Sequence, residues 1–220
     1  MTGYRERAKE SLPTVLLTLA SIIQALALEV FWGRISDESP YLWEANPLFW
    51  LGWAQAVAVF FGILVMWVYY ANLVMRFRWL PEVRDSVIPF VIGITEFALV
   101  ETMGPDQVVA WFVLFAFIFV FADWAAQTTF HRAQLEPENA EFFRRFPYNA
   151  RRRLLPQIVP AVALCGFAAA AAVAAIDGWL VLTCTIVTVG FVVAQLWLQS
   201  VYWRRTLAID DDLGAQPDND

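Results

Sequence analysis

The chain has 220 residues, 60% of them hydrophobic, and 15 Lys or Arg against 21 Asp or Glu give a net charge of −6. Mean hydropathy is +0.54, and a soluble domain is nearer about 45–50% apolar. The excess lies in blocks that are apolar on every side, which excludes a soluble domain and a β-barrel alike and leaves an all-α polytopic integral membrane protein.

A bilayer-crossing helix needs about 20 apolar residues, and six stretches qualify, at about 12–32, 48–75, 86–103, 107–130, 156–176 and 178–203. Residues 1–205 then form a single transmembrane domain, followed by a polar, acidic tail, 206–220, predicted to be disordered. Span 1 starts after Ser11 with Pro13 in its first turn, a position that tolerates proline. Its beginning, through Ala25, Leu26 and Ala27, uses the vocabulary of a cleaved signal peptide. The apolar run continues to Trp32, however, so the segment is read as a span. An outer loop follows, with Trp32, Tyr41, Trp43, Trp50 and Trp53 in or beside it as interface anchors.

Span 2 is long, with Gln55 near its outer end and Asn72 near its inner end. Span 3 is the shortest and the only one interrupted by both Pro89 and Gly93. It carries Glu96 near its middle and Glu101 near its far end. Gly104, Pro105 and Asp106 turn the chain into span 4, a densely aromatic segment that ends in Asp123, Gln127 and His131. The i, i+4, i+8 spacing puts those three on one helical face. The connection 132–155 is the longest. Glu136, Pro137 and Glu138 mark a helix start, and Phe142, Phe143 and Phe146 around Arg144 and Arg145 predict a short amphipathic helix on the inner leaflet. Arg151, Arg152 and Arg153 follow. In span 5, Gly166, Ala170 and Ala174 make a close-packing face. Span 6 has Thr188, Gln195 and Gln199 on a weakly polar stripe.

Of the 15 basic residues, all but Arg34 fall on one side of this topology. The positive-inside rule therefore places both termini in the cytoplasm, and six is the even number of spans this requires. The localisation expected is a plasma membrane, of the bacterial inner-membrane kind. The basic inner face suits an anionic lipid leaflet, and nothing points to nucleic acid.

The chemistry worth weighing starts from Glu96. A charged side chain at mid-bilayer costs about 2.5–3.5 kcal/mol on insertion scales, and no Lys or Arg lies in the middle of any span. Glu96 is therefore protonated, faces water, or holds a cation. The first state lets it donate a hydrogen bond to Thr, Ser or Gln of another helix. With Glu101 on the outer side and Asp123, Gln127 and His131 on the inner side, it makes an interrupted ladder of polar, mostly titratable groups, a pattern of proton-coupled membrane proteins. A Pro/Gly-interrupted helix beside an acid also fits a binding-site helix. The two cysteines, Cys165 and Cys184, have no metal-site spacing, and one histidine excludes bis-histidine haem ligation within the chain. No hydrolase or metalloprotease motif is present, so the reading leans away from an enzyme, with no cofactor or metal.

Three functions remain. The first is a small transporter or channel handling protons or a cation through Glu96 and Asp123. The second is a non-catalytic membrane subunit or scaffold that docks a protein or anionic lipid through Arg144, Arg145, Arg151, Arg152 and Arg153. The third is a small-molecule binding subunit of an importer, with the aromatic outer loop as a lid. Beyond the lipid bilayer, a homo-oligomer is compatible with all three.

Overall fold

In a computed structural model of the chain, the described residues are 3–37, 40–44, 48–80, 82–145, 150–173 and 178–214. All regular structure among them is helical: α1 (Tyr4–Ser36), α2 (Pro40–Trp43), α3 (Phe49–Arg76), α4 (Val83–Glu101), α5 (Val108–Gln134), a single 3₁₀ turn (Pro137–Asn139), α6 (Ala140–Arg145), α7 (Ala150–Val173) and α8 (Gly178–Gly214).

Four helical stretches are long and apolar enough to cross a membrane, Glu6–Ser36, Phe49–Arg76, Val108–Gln134 and Gly178–Arg204. The other two predicted spans are also helices. α4 has 19 residues, about 28 Å at 1.5 Å per residue, and carries Arg84, Asp85, Glu96 and Glu101. The apolar part of α7 is Ile158–Val173. Large apolar side chains stand exposed along the long helices, among them Trp32, Phe60, Phe117, Val120, Ile186 and Trp197. Such a surface is far larger than a water-soluble monomer leaves uncovered. It is the surface that a lipid-embedded helix presents.

Side-chain bonds show that the long helices alternate in direction. At one end Lys9 of α1 meets Glu136, Arg132 at the end of α5 meets Asp85 at the start of α4, and Arg76 at the end of α3 donates to the carbonyl of Tyr202. We call this the basic end. At the opposite end, Arg34 of α1 donates to the carbonyl of Met103, and the amide of Gly104 donates to Oε1 of Gln55. Gly104 has φ 129°, a left-handed value that only glycine adopts without strain. The tight α4–α5 turn therefore depends on it, and a buried amide from α3 holds the turn in place.

α5 is the centre of the bundle and packs along α7, while α3 packs along α8 and α1 along α4 and α3. Trp111, Phe112, Phe115 and Phe119 of α5 are almost fully buried, whereas Val113, Phe117, Val120 and Trp124 face outward. The aromatic density of span 4 thus divides by helical period into a core half and a lipid half.

Several details depart from the sequence reading. Pro13 lies well inside α1, because the helix starts at Tyr4 rather than at the membrane boundary. α4 runs without a break through Pro89 and Gly93, so it is not the broken helix that those residues suggested. Gly93 serves packing instead: a Cβ there would collide with Ile23 of α1. On α7, Gly166 has nothing near it. The close-packing residues are Ala161, Leu164, Ala168 and Ala171, and Ala174 lies outside the described residues. α8 continues to Gly214, past the boundary set at 205, since no proline interrupts it and adding a residue to an existing helix is favourable where nucleating one is not.

Candidate functional site

Glu96 is 1% exposed, on the face of α4 that meets α1. Its hydrogen-bond partner is Gln24 of α1, whose Nε2 donates to Oε1 at 3.1 Å and to Oε2 at 2.9 Å. The sequence leads to this contact through Gly93. Gly93 sits one turn before Glu96, and its missing side chain lets α1 approach until Ile23, and beside it Gln24, reach α4. Small residues at membrane helix crossings act in this way. The Oε1 of Gln24 is buried and unpartnered. No Lys, Arg or His pairs with Glu96 among the described residues.

On its other side Glu96 borders a small cavity of about 10 Å³, room for roughly one water molecule. The remaining walls are apolar, from Gly62 and Met66 of α3, Phe115 and Phe119 of α5, and Val192 of α8. Glu96 therefore stands between an amide and an apolar chamber. The sequence ranked this residue first but did not single out Gln24. Its signal was available: Gln24 is an amide near the middle of span 1, where any polar group calls for a partner.

The other residues of the predicted ladder are less uniform. Asp123 is partly buried and accepts from Nε2 of Gln127 at 2.8 Å, as their i, i+4 spacing implies. Asp123 also borders a second cavity with Tyr69, Phe119, Gln195 and Gln199. The polar stripe of span 6 thus turns inward toward Asp123, with Thr188, Gln195 and Gln199 all buried. Glu101 and His131 are exposed. The structure therefore brings Glu96 and Asp123 to neighbouring cavities and leaves Glu101 and His131 at the surface.

The basic end holds a polar network that sequence reading missed. Asp85 is 3% exposed. It accepts from Arg132 at 2.5 and 2.8 Å in a two-pronged pair, from the amide of Glu82 at 2.8 Å, and from Nε1 of Trp79 at 3.4 Å. Lys9, 7% exposed, reaches Glu136 at 2.6 Å and Glu138 at 3.2 Å. Asn139 ties the segment down further, donating to the carbonyls of Arg78 and Ala133 and accepting from the amide of Arg78. Lys9 and Glu136 are 127 positions apart, so no local pattern could have paired them. Asp85 and Arg132 stand near the ends of α4 and α5, where charged residues are common whether or not they pair.

The connection 132–155 also differs from expectation. No residue of α6 is fully buried, but its phenylalanines pack in part against the basic end of the bundle. Phe142 and Phe143 turn inward, 5.0 and 5.4 Å from Phe77 between ring centroids, with Phe130 completing the cluster. Stacked and edge-to-face aromatic pairs at such separations are favourable beyond the area they cover. Arg144 and Arg145 are exposed, and both pair with Glu141, at 2.7 and 2.8 Å. Those bonds hold the Glu141 carboxyl below its ordinary range. The side chains of Arg151, Arg152 and Arg153, and Phe146, lie outside the described residues.

Among the described residues no three His, Cys, Asp or Glu side chains gather as a metal site would require. Comparison with protein-family models, with curated proteins and with solved structures gives no match.

Proposed function

We propose that the protein is a six-helix membrane protein of the bacterial inner membrane that carries protons, with Glu96 as the group that takes up and releases them and Asp123 as its neighbour on the way to the basic end. α4 and α7 are the third and fifth spans in this reading. The alternation of the helices and the gathering of basic residues at one end support placing that end, with both termini, in the cytoplasm.

One observation carries the reading: Glu96 is buried against an amide and not against a cation. A carboxylate kept permanently ionised at this depth is expected to have a positive partner. An amide suits a group that changes state. Its NH₂ donates to the carboxylate, as seen. Turned over, its unpartnered Oε1 accepts from the carboxylic acid. The two forms then differ by one proton and one rotation of Gln24.

A proton also fits better than a metal cation. Calcium takes about 6–8 oxygen ligands, and in the cavity beside Glu96 every other lining side chain is apolar.

The test is proton flux in proteoliposomes loaded with a pH-sensitive dye. Glu96→Gln is expected to abolish flux while leaving the melting temperature close to wild type, since Gln keeps the shape and a hydrogen bond to Gln24. A folded Glu96→Gln protein with wild-type flux overturns the reading.

A further inference from the structure

The cavity beside Glu96 and the cavity beside Asp123 share three wall residues, Val65, Met66 and Phe119. A third cavity, of similar size, touches Gln24 and Tyr70, and Met66 lines that one too. Met66 thus stands where all three meet. Methionine is the apolar side chain most able to change shape, being unbranched with three rotatable bonds. Each cavity holds about 10 Å³, room for roughly one water molecule, so a movement of one side chain is enough to join two of them.

The direction away from the basic end is different. Val100, Met103, Val108, Trp111 and Phe112 are each at most 2% exposed. The rings of Trp111 lie 5.2 Å from Phe112 and 4.6 Å from Phe115. The α4–α5 turn above them is pinned by Gln55 and Arg34. Toward the basic end the neighbouring cavity is lined by carboxyl, amide and phenol groups, those of Asp123, Gln195, Gln199 and Tyr69, whereas the groove between α3 and α8 toward the other end is lined by Trp50, Trp53, Trp179 and aliphatic side chains and does not include Glu96.

Resting on the reading of Glu96 as a proton carrier, we infer that in this conformation its carboxyl exchanges protons with the basic end alone, through the chamber of Asp123, Gln195 and Gln199, and that the Met66 side chain is the gate. In the open position a water spans the two cavities. It takes the proton from Glu96 and passes another to the Asp123 carboxylate. The Glu96 carboxylate left behind accepts from Nε2 of Gln24. The titratable groups that line the three cavities are Glu96 of α4, Asp123 of α5, and Tyr69 and Tyr70 of α3. α1 contributes Gln24 and α8 contributes Gln195 and Gln199.

Infrared difference spectroscopy tests this on full-length protein in membrane vesicles of known orientation. The signal is the carboxylic-acid band that disappears in Glu96→Gln. A pH jump is applied to one face at a time. The band is expected to follow the face that bears the basic end. Met66→Phe, which fills the junction, is expected to slow the response about tenfold, and Met66→Ala to speed it by a similar factor. A band that follows the opposite face overturns the inference and leaves Glu96 as a proton carrier. So do rates within about twofold of wild type in both Met66 variants, since tenfold is the scale of 1.4 kcal/mol on a barrier. If Glu96→Gln removes no band at all, the proton-carrier reading falls and the gate with it.

Discussion

Replacing Asp85 by Ala leaves Arg132 inside the protein with its main partner gone. The Asp85 and Arg132 side chains are 4% and 12% exposed, so water replaces little of what is lost. Breaking a buried pair by removing one partner costs about 3–5 kcal/mol. Asp85 also accepts from the Glu82 amide at the start of α4, and losing such a cap costs about 1 kcal/mol more. A chain of this size loses about 2–4 °C of melting temperature per kcal/mol, so Asp85→Ala is expected to melt about 8–24 °C below wild type. The double variant Asp85→Ala, Arg132→Leu removes both charges. It is expected to recover at least about 2 kcal/mol relative to Asp85→Ala, because an ion pair exchanged for apolar side chains is often close to neutral. Tryptophan-fluorescence melting in lipid nanodiscs measures all four proteins of the cycle. The reasoning fails if Asp85→Ala costs less than about 1 kcal/mol. It fails equally if the two single effects simply add, since additivity is the behaviour of sites that do not touch.

Two further expectations concern the α1–α4 contact and the loop beyond α5. Gly93→Ala forces Ile23 aside and is expected to destabilise by about 1–3 kcal/mol; in the same melting assay Gly93→Ala with Ile23→Ala recovers most of it, and a silent Gly93→Ala would show that the two helices are not in close contact. Glu138 is held below the ordinary glutamate value of 4.5, first by its own backbone amide and then by Lys9. A carboxyl whose folded value is depressed contributes stability above its unfolded value and loses it as pH falls through the folded one. The stability difference between wild type and Glu138→Gln is therefore expected to be constant at pH 6–7 and to vanish below the glutamate range; a difference that grows on acidification contradicts the bond to Lys9.

How much of this could be read from the chain varies with the kind of interaction. The four long apolar helices, the tight turn at Gly104 and the Asp123–Gln127 pair are local features. They depend on runs, on backbone freedom and on helical period. Glu96 stood out because a lone carboxylate in an apolar segment is conspicuous whatever surrounds it. Pro89 and Gly93 were misread because a helix-breaking residue looks the same in sequence whether the helix breaks or a neighbour comes close. Phe142 and Phe143 were assigned to lipid because amphipathicity says which face is apolar but not what covers it.

By itself the sequence determined the class of the protein, the placement of its helices and the residue with the most unusual chemistry. Those follow from hydrophobic length and period, which act over one or two turns. Only the tertiary structure decided that Gln24 faces Glu96, that Gln195 and Gln199 turn toward Asp123, and that Lys9 and Arg132 close the basic end onto Glu136 and Asp85. In each case the partners sit on different helices far apart in the chain. Which of them meet depends on how closely the helices pack and how each is rotated, down to the single side chain missing at Gly93.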